Sequence, residues 1–218
     1  MVHDKKTTAL YISPGKDGRI HYEKHHQQGK ACPVAISVGH HPLTLIVAAR
    51  PSPGPEYNFA GAIRGKPIRV IIDEVTGLPI PADSEIVFVG WSPVGKTRVE
   101  GPFGEWTGYY ASKDRPAPIL EVERIYHRNN PIILGAPPSR PPSETSPCMD
   151  IFASAIVHND LIKQGVPDVK GVWFNVIGGR TLVIVSIKQR YPGHAKQAAV
   201  LACQSRIAAY FGRYAIVV

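Results

Sequence analysis

Glu100 and Glu105 stand five residues apart in Glu100-Gly101-Pro102-Phe103-Gly104-Glu105, which runs on into Trp106-Thr107-Gly108-Tyr109-Tyr110. Pro102 fixes φ and the two glycines let the backbone turn, so the segment is a shaped loop, neither helix nor regular strand. Two carboxylates in a partly desolvated pocket divide acid–base work. One holds a raised pKa and donates a proton, while the other stays ionised and orients a partner. The same residues also suit a plain turn carrying two solvated acids.

Further candidates lie upstream. Glu56, in Pro55-Glu56-Tyr57-Asn58-Phe59-Ala60-Gly61, follows an apolar strand and the turn Arg50-Pro51-Ser52-Pro53-Gly54. Its carboxylate suits a hard cation such as Mn2+ or Mg2+; a surface acid capping the next segment is the alternative. Asp17, in Ser13-Pro14-Gly15-Lys16-Asp17-Gly18, is either a second ligand of that kind or a turn residue. His21, His25 and His26 read as the solvated face of a polar helix, and His40-His41-Pro42 as a loop between two strands. Downstream, Tyr191-Pro192-Gly193-His194-Ala195-Lys196 opens an Ala-rich helix. A glycine there allows close approach of a phosphate or another subunit, and a structural cap fits equally.

Taken in order, the segment around Glu56, Pro81-Ala82-Asp83-Ser84-Glu85-Ile86-Val87, the Glu100–Glu105 loop and the segment around His194 resemble parts of the UbiD family of decarboxylases. The resemblance runs the length of the chain. It implies a split β-barrel like that of flavin reductase FMN-binding domains, prenylated FMN as cofactor, a divalent metal (Mn2+ or Mg2+), and K+ as an optional further ion. The implied reaction is reversible, non-oxidative decarboxylation of an aromatic or α,β-unsaturated carboxylic acid. By the same resemblance Glu100 and Glu105 are the catalytic pair, with Glu105 the proton donor. Glu56 binds the metal that clamps the flavin phosphate, and Lys16, Ala49 and Arg50 contact the cofactor. Asp17 falls where the family carries a metal-binding His. Glu at position 105 is closer to the ferulate and phenolic-acid branches than to the ubiquinone-pathway enzyme. A flavin prenyltransferase as cofactor supplier and a homo-oligomer are implied as partners. The family's Asn-x4-Arg element and its C-terminal domain are expected outside this sequence, so residues 1–218 are assigned to one central cofactor-binding domain. A rival reading is a non-catalytic flavin-binding subunit that takes its Arg and Asn from another chain; a third is a basic barrel that binds nucleic acid.

The elements that must position these residues are short. Candidate strands rich in β-branched residues span 8–13, 33–39, 43–49, 68–73, 85–90, 118–126, 131–135, 171–177, 181–188 and 213–218. Helices are expected over 150–164, with Ile151, Ala155 and Ile162 on its apolar side, over 194–211, and more briefly over 20–28. The expected class is mainly β with flanking helices, an α+β fold, and the Pro-rich stretch 136–147 is a surface loop within a single domain. With 44% hydrophobic and 19% charged residues the chain has the composition of a folded domain. Its net charge of +8 is scattered, with no run of Lys or Arg longer than two, which suits small anions better than nucleic acid. No run approaches a membrane span, and Lys5 and Lys6 lead into no apolar stretch, so no signal peptide is expected and the location is cytoplasmic. Cys32, Cys148 and Cys203, odd in number and far apart, are expected to be reduced and structural.

Overall fold

The computed structural model describes residues 2–49, 54–104, 108–110, 112–135, 142, 146–176 and 179–218. The chain divides into two compact units, Met1–Phe103 with Ser112–Gly135, and Gly104–Ala111 with Ala136–Val218. The one-domain expectation thus meets a chain whose contacts cluster twice, because each half encloses apolar residues of its own.

In the first unit the elements are β1 (Thr7–Ala9), α1 (Asp17–Gln27), β2 (Cys32–Val38), α2 (Pro42–Ala48), α3 (Glu56–Arg64), β3 (Val70–Ile72), β4 (Pro79–Pro81), β5 (Ile86–Ser92), β6 (Thr97–Glu100) and β7 (Arg115–His127). One sheet runs β1-β7-β5-β2, with β6 also paired to β7, and all its pairings are antiparallel. The sheet is open, and the described residues form no closed barrel. The long β7 is the spine against which β1, β5 and β6 find register. At Gly90 the β5–β7 register shifts, and the strands come so close that a Cβ there would lie 1.9 Å from the Glu121 carbonyl oxygen. Only glycine fits such a bulge.

A separate ribbon pairs β3 with β4. Its turn is organised by Asp73, which is 1% exposed. One carboxylate oxygen accepts from the Val75 and Thr76 amides (3.1 and 2.7 Å) and from the Thr76 hydroxyl (2.7 Å). The other accepts from the Tyr126 hydroxyl at 2.7 Å, tying the ribbon to β7. Ile80, Val87 and Val89 form the buried cluster beneath, with Ala35 and Tyr126 packed against it.

The second unit holds α4 (Ser146–Lys163), β8 (Val169–Phe174), β9 (Leu182–Ile187), α5 (His194–Gln204), α6 (Arg206–Phe211) and β10 (Tyr214–Val217). Its sheet order is β10-β9-β8, with β8–β9 antiparallel and β9–β10 parallel. Val157, Leu161, Phe174, Val183, Val185, Ala198 and Ala202 make its core.

Three sequence expectations are corrected. Residues 43–49 are helical, not extended, because Pro42 takes the first helical turn and the His41 ring accepts from the Leu43 amide at 3.2 Å. That cap outweighs the β-branched Ile46 and Val47. On α4 the buried stripe is Met149, Ala153, Val157 and Leu161, whereas Ile151 and Ile162 are 55% and 53% exposed. Residues 131–135 carry no strand; Ile132, Ile133 and Leu134 are exposed and β7 already ends at His127. The expected helix over 194–211 is present but breaks at Ser205, whose backbone is extended and whose hydroxyl donates to Asp160 at 2.6 Å. Helix α3 and strands β4 and β6 were not anticipated.

Candidate active site

Glu100 closes β6, a strand whose other three residues are exposed, and is itself only 6% exposed. A carboxylate withdrawn from water at a strand end is costly unless its surroundings favour it, which marks the position. Across the ladder it faces Arg115, the first residue of β7. Directly opposite residues of an antiparallel pair share a face with Cβ atoms about 5 Å apart, so the two side chains leave the ladder on the same side. The Arg115 guanidinium lies 4.5 Å from the ring centroid of Tyr11, which fixes its position by a cation–π contact. Sequence reasoning missed Arg115, which only the register of β6 on β7 brings opposite Glu100.

Beyond Glu100 the chain turns at Gly101, whose φ is +98° and where a Cβ would sit 3.5 Å from the Asp114 backbone. The shaped-loop expectation holds here. Gly104 and Tyr110 form an isolated antiparallel bridge. Glu105, Trp106 and Thr107 lie outside the described residues.

The other candidates sit at helix ends of the first unit. Glu56 opens α3, behind Pro55, where a carboxylate favours the helix dipole. It is exposed and takes no hydrogen bond or ion pair among the described residues. The neighbouring Tyr57 hydroxyl donates to the Pro79 carbonyl (3.2 Å), and burial, together with the charge of Glu56, raises its pKa. Lys16 is the N-cap of α1 and Asp17 its first residue, both exposed. Ala49 caps the C-terminus of α2, and Arg50 lies outside the described residues. α2 packs on α3. The structure therefore sets Ala49 and Glu56 on neighbouring helices, while Asp17 and Lys16 belong to the helix packed on β2. Among the described residues no group of three or more His, Cys, Asp and Glu gathers to enclose a metal. Glu56 and Asp17 open different helices, α3 and α1.

The histidines depart from their expectations. His26 is half-buried and its Nε2 is 3.0 Å from the Ser92 carbonyl oxygen, holding α1 to the end of β5. His41 links a strand to a helix rather than to a second strand. His194, at the start of α5, is fully buried and stacked on Tyr191 at 4.6 Å, and its Nδ1 accepts from the Arg190 amide at 3.3 Å. The N-cap of α5 is Gly193, so the His194 ring ties the helix start to the preceding turn without capping the helix.

Residues 1–141 match the UbiD family model, the 3-octaprenyl-4-hydroxybenzoate carboxy-lyase Rift-related domain. Residues 149–218 match its companion, the carboxy-lyase C-terminal domain. The chain expected to be a central domain alone thus carries both matches, divided near the Pro-rich stretch. An uncharacterised protein of Archaeoglobus fulgidus is 37% identical over 205 residues, covering 90% of this chain and 41% of that protein. The phenolic acid decarboxylase of Bacillus subtilis is 34% identical over 198 residues, covering 89% of this chain and 41% of its own length. Among solved structures, an evolved dimeric form of the UbiD-class enzyme HmfF from Pelotomaculum thermopropionicum, in complex with prFMN, superposes with a TM-score of 0.88 at 27% identity. It covers all of this chain and 50% of that one. The vanillic acid decarboxylase of Sedimentibacter hydroxybenzoicus in its open form gives 0.87 at 30%, covering 99% of this chain and 46% of that one. The chain spans half or less of the lengths of these relatives.

Proposed function

From the premise that the chain belongs to the UbiD family, we propose that it is the prenylated-FMN-binding portion of a carboxy-lyase acting on an aromatic or α,β-unsaturated carboxylic acid. The observation that carries this reading is Glu100, a buried acid with Arg115 opposite, leading into the loop that bears Glu105. The relatives' names, a phenolic acid decarboxylase and a vanillic acid decarboxylase, support a phenolic acid as substrate. Structures of HmfF with prFMN and with FMN support the flavin.

The bound cofactor supplies the electron sink that decarboxylation at an sp2 carbon requires. The chain's residues supply the rest. Glu56, exposed at the start of α3, would hold a Mn2+ or Mg2+ ion that neutralises the flavin phosphate, with Asp17 as a further oxygen ligand. Lys16 adds a positive charge at the same end of α1, and Ala49 and Arg50 line the flavin. K+ is a further ion the site takes. Glu105 would hand a proton to the carbon that has lost CO2, and Glu100 would orient the network around it. In this proposal the cofactor-binding fold is a split β-barrel like that of flavin reductase FMN-binding domains, a flavin prenyltransferase supplies the cofactor, and the protein works in the cytoplasm as a homo-oligomer.

Reconstitution tests it. The chain incubated with prenylated FMN and Mn2+ retains both through gel filtration, and Glu56→Ala lowers flavin and metal content together. Equal retention by the variant would place the clamp elsewhere.

A further inference from the structure

A cleft in the first unit, with a volume of about 510 Å³, is lined by His41, Arg64, Lys66, Pro67, Arg69 and Asp83. That volume lies within the range of small-molecule sites. Three cations meet one carboxylate there. Asp83 pairs with Arg69 at 2.5 Å and stands 3.9 Å from Arg64, so one acid is shared between two guanidiniums. Lys66 makes no side-chain hydrogen bond or ion pair among the described residues. Arg128 also acts on Asp83 but is occupied by Glu85 at 3.5 Å and by the Ser84 and Ala82 carbonyls.

The backbone that presents these side chains is fixed. Gly65 ends α3 in the left-handed conformation (φ +73°), and the Lys66 amide returns to the Gly61 carbonyl at 3.2 Å. The next residues fold against the helix closely enough that a Cβ on Gly61 would touch Lys66 and Pro67. The Ala82 amide donates to the Arg69 carbonyl at 2.9 Å, binding the Asp83 loop to the approach of β3. His41, whose Nδ1 is spent on the Leu43 amide, keeps an Nε2–H donor for the cleft in its neutral form.

We propose that this cleft is an anion site for a phosphate group, separate from the flavin clamp at the opposite end of α3. Asp83 already balances one of the three positive charges, leaving two. A phosphate monoester carries about −1.5 to −2 at neutral pH and three acceptor oxygens, which matches that excess; a carboxylate, with one charge, does not. Arg64 and Arg69 offer planar forks to the oxygens and Lys66 a point charge. The ligand class is a phosphorylated small molecule or inorganic phosphate.

Calorimetric titration of the full 218-residue chain tests it, with inorganic phosphate, phenyl phosphate and benzoate as probes at an ionic strength held constant with chloride. Phosphate binds saturably; binding of phenyl phosphate as tightly as phosphate, or tighter, assigns the site to a monoester, and weaker binding assigns it to the free ion. Lys66→Glu, at an exposed side chain without partners, weakens phosphate about fivefold or more, the size of one lost charge contact. Asp83→Asn acts in the opposite sense and tightens it, because Arg64 and Arg69 lose their competitor. Flavin retention is unchanged in Lys66→Glu. Absence of saturable heat, equal affinity in wild type and both variants, or benzoate binding as tightly as phosphate would overturn the proposal.

Discussion

Removing the Asp73 carboxylate should destabilise the first unit by roughly 3–4 kcal/mol, more than an ordinary surface change. The figure follows from its four accepted hydrogen bonds, from Val75, Thr76 (twice) and Tyr126. Each bond to a charged acceptor contributes about 1.5–3 kcal/mol, but water can recover part of the loss. Val75 is 36% exposed and Thr76 half-buried, so their donors rehydrate in Asp73→Ala; the tie from Tyr126 to the ribbon is lost outright. Asp73→Asn keeps one acceptor oxygen and replaces the other by an NH2 that cannot accept, and should cost about half as much. Burial pushes the Asp73 pKa up, but the bonds from Thr76, Tyr126 and Val75 outweigh it and hold the carboxyl below the usual Asp range. The folded form therefore binds its proton less readily than the unfolded chain, and the unfolded state gains protons first as pH falls. This contribution is complete above the ordinary Asp pKa of about 3.9 and disappears as pH drops through the lower folded value. Urea unfolding followed by circular dichroism, at neutral pH and at successive acidic steps, measures both effects. A midpoint for Asp73→Ala within about 0.5 kcal/mol of wild type would show that the turn does not depend on this carboxylate.

Gly90→Ala should cost more than about 3 kcal/mol or prevent folding, since the added methyl meets a backbone oxygen that cannot swing aside; wild-type denaturant resistance would refute the close approach of β5 to β7. Asp168, hydrogen-bonded by Arg190 and Lys170, has its pKa lowered to about 2. Its stabilising contribution is therefore present above the ordinary Asp range and lost as pH falls through about 2, and carboxyl-carbon NMR showing an ordinary titration would contradict the pairing.

Much of this was legible in the sequence where local chemistry and fold agree. Strands rich in Val and Ile, such as β5 and β9, and the Ala-rich start of α5 stand where expected. The α2 segment failed because β-branched composition was weighed without its cap, His41 before Pro42, which outranks propensity at a helix start. On α4 the buried stripe includes Asp150 and Ser154, and polar residues on an inner face hide it from a reading based on apolar spacing. Of the site, Glu100 and Glu56 could be found from motif and residue type. Arg115 could not, because only the register of β6 on β7 makes it Glu100's neighbour, and register is a tertiary fact. The basic cleft escaped for the same reason: His41, Arg64, Lys66, Arg69 and Asp83 span more than forty positions and are joined by the end of α3 and the loop before β5.

The central claim, that this chain carries the proton-handling acids of a prenylated-FMN carboxy-lyase, is tested most directly in deuterated water. The protein, complemented with the portion of its relatives that this chain does not span and charged with prenylated FMN and Mn2+, is given vanillic acid and related phenolic acids, and deuterium at the carbon that lost CO2 is read by mass spectrometry. Glu105→Gln keeps the side chain's shape and removes the transferable proton. The account predicts labelled product from wild type and none from Glu105→Gln, with the flavin spectrum of the variant intact. Labelled product from the variant at near wild-type rate would contradict it.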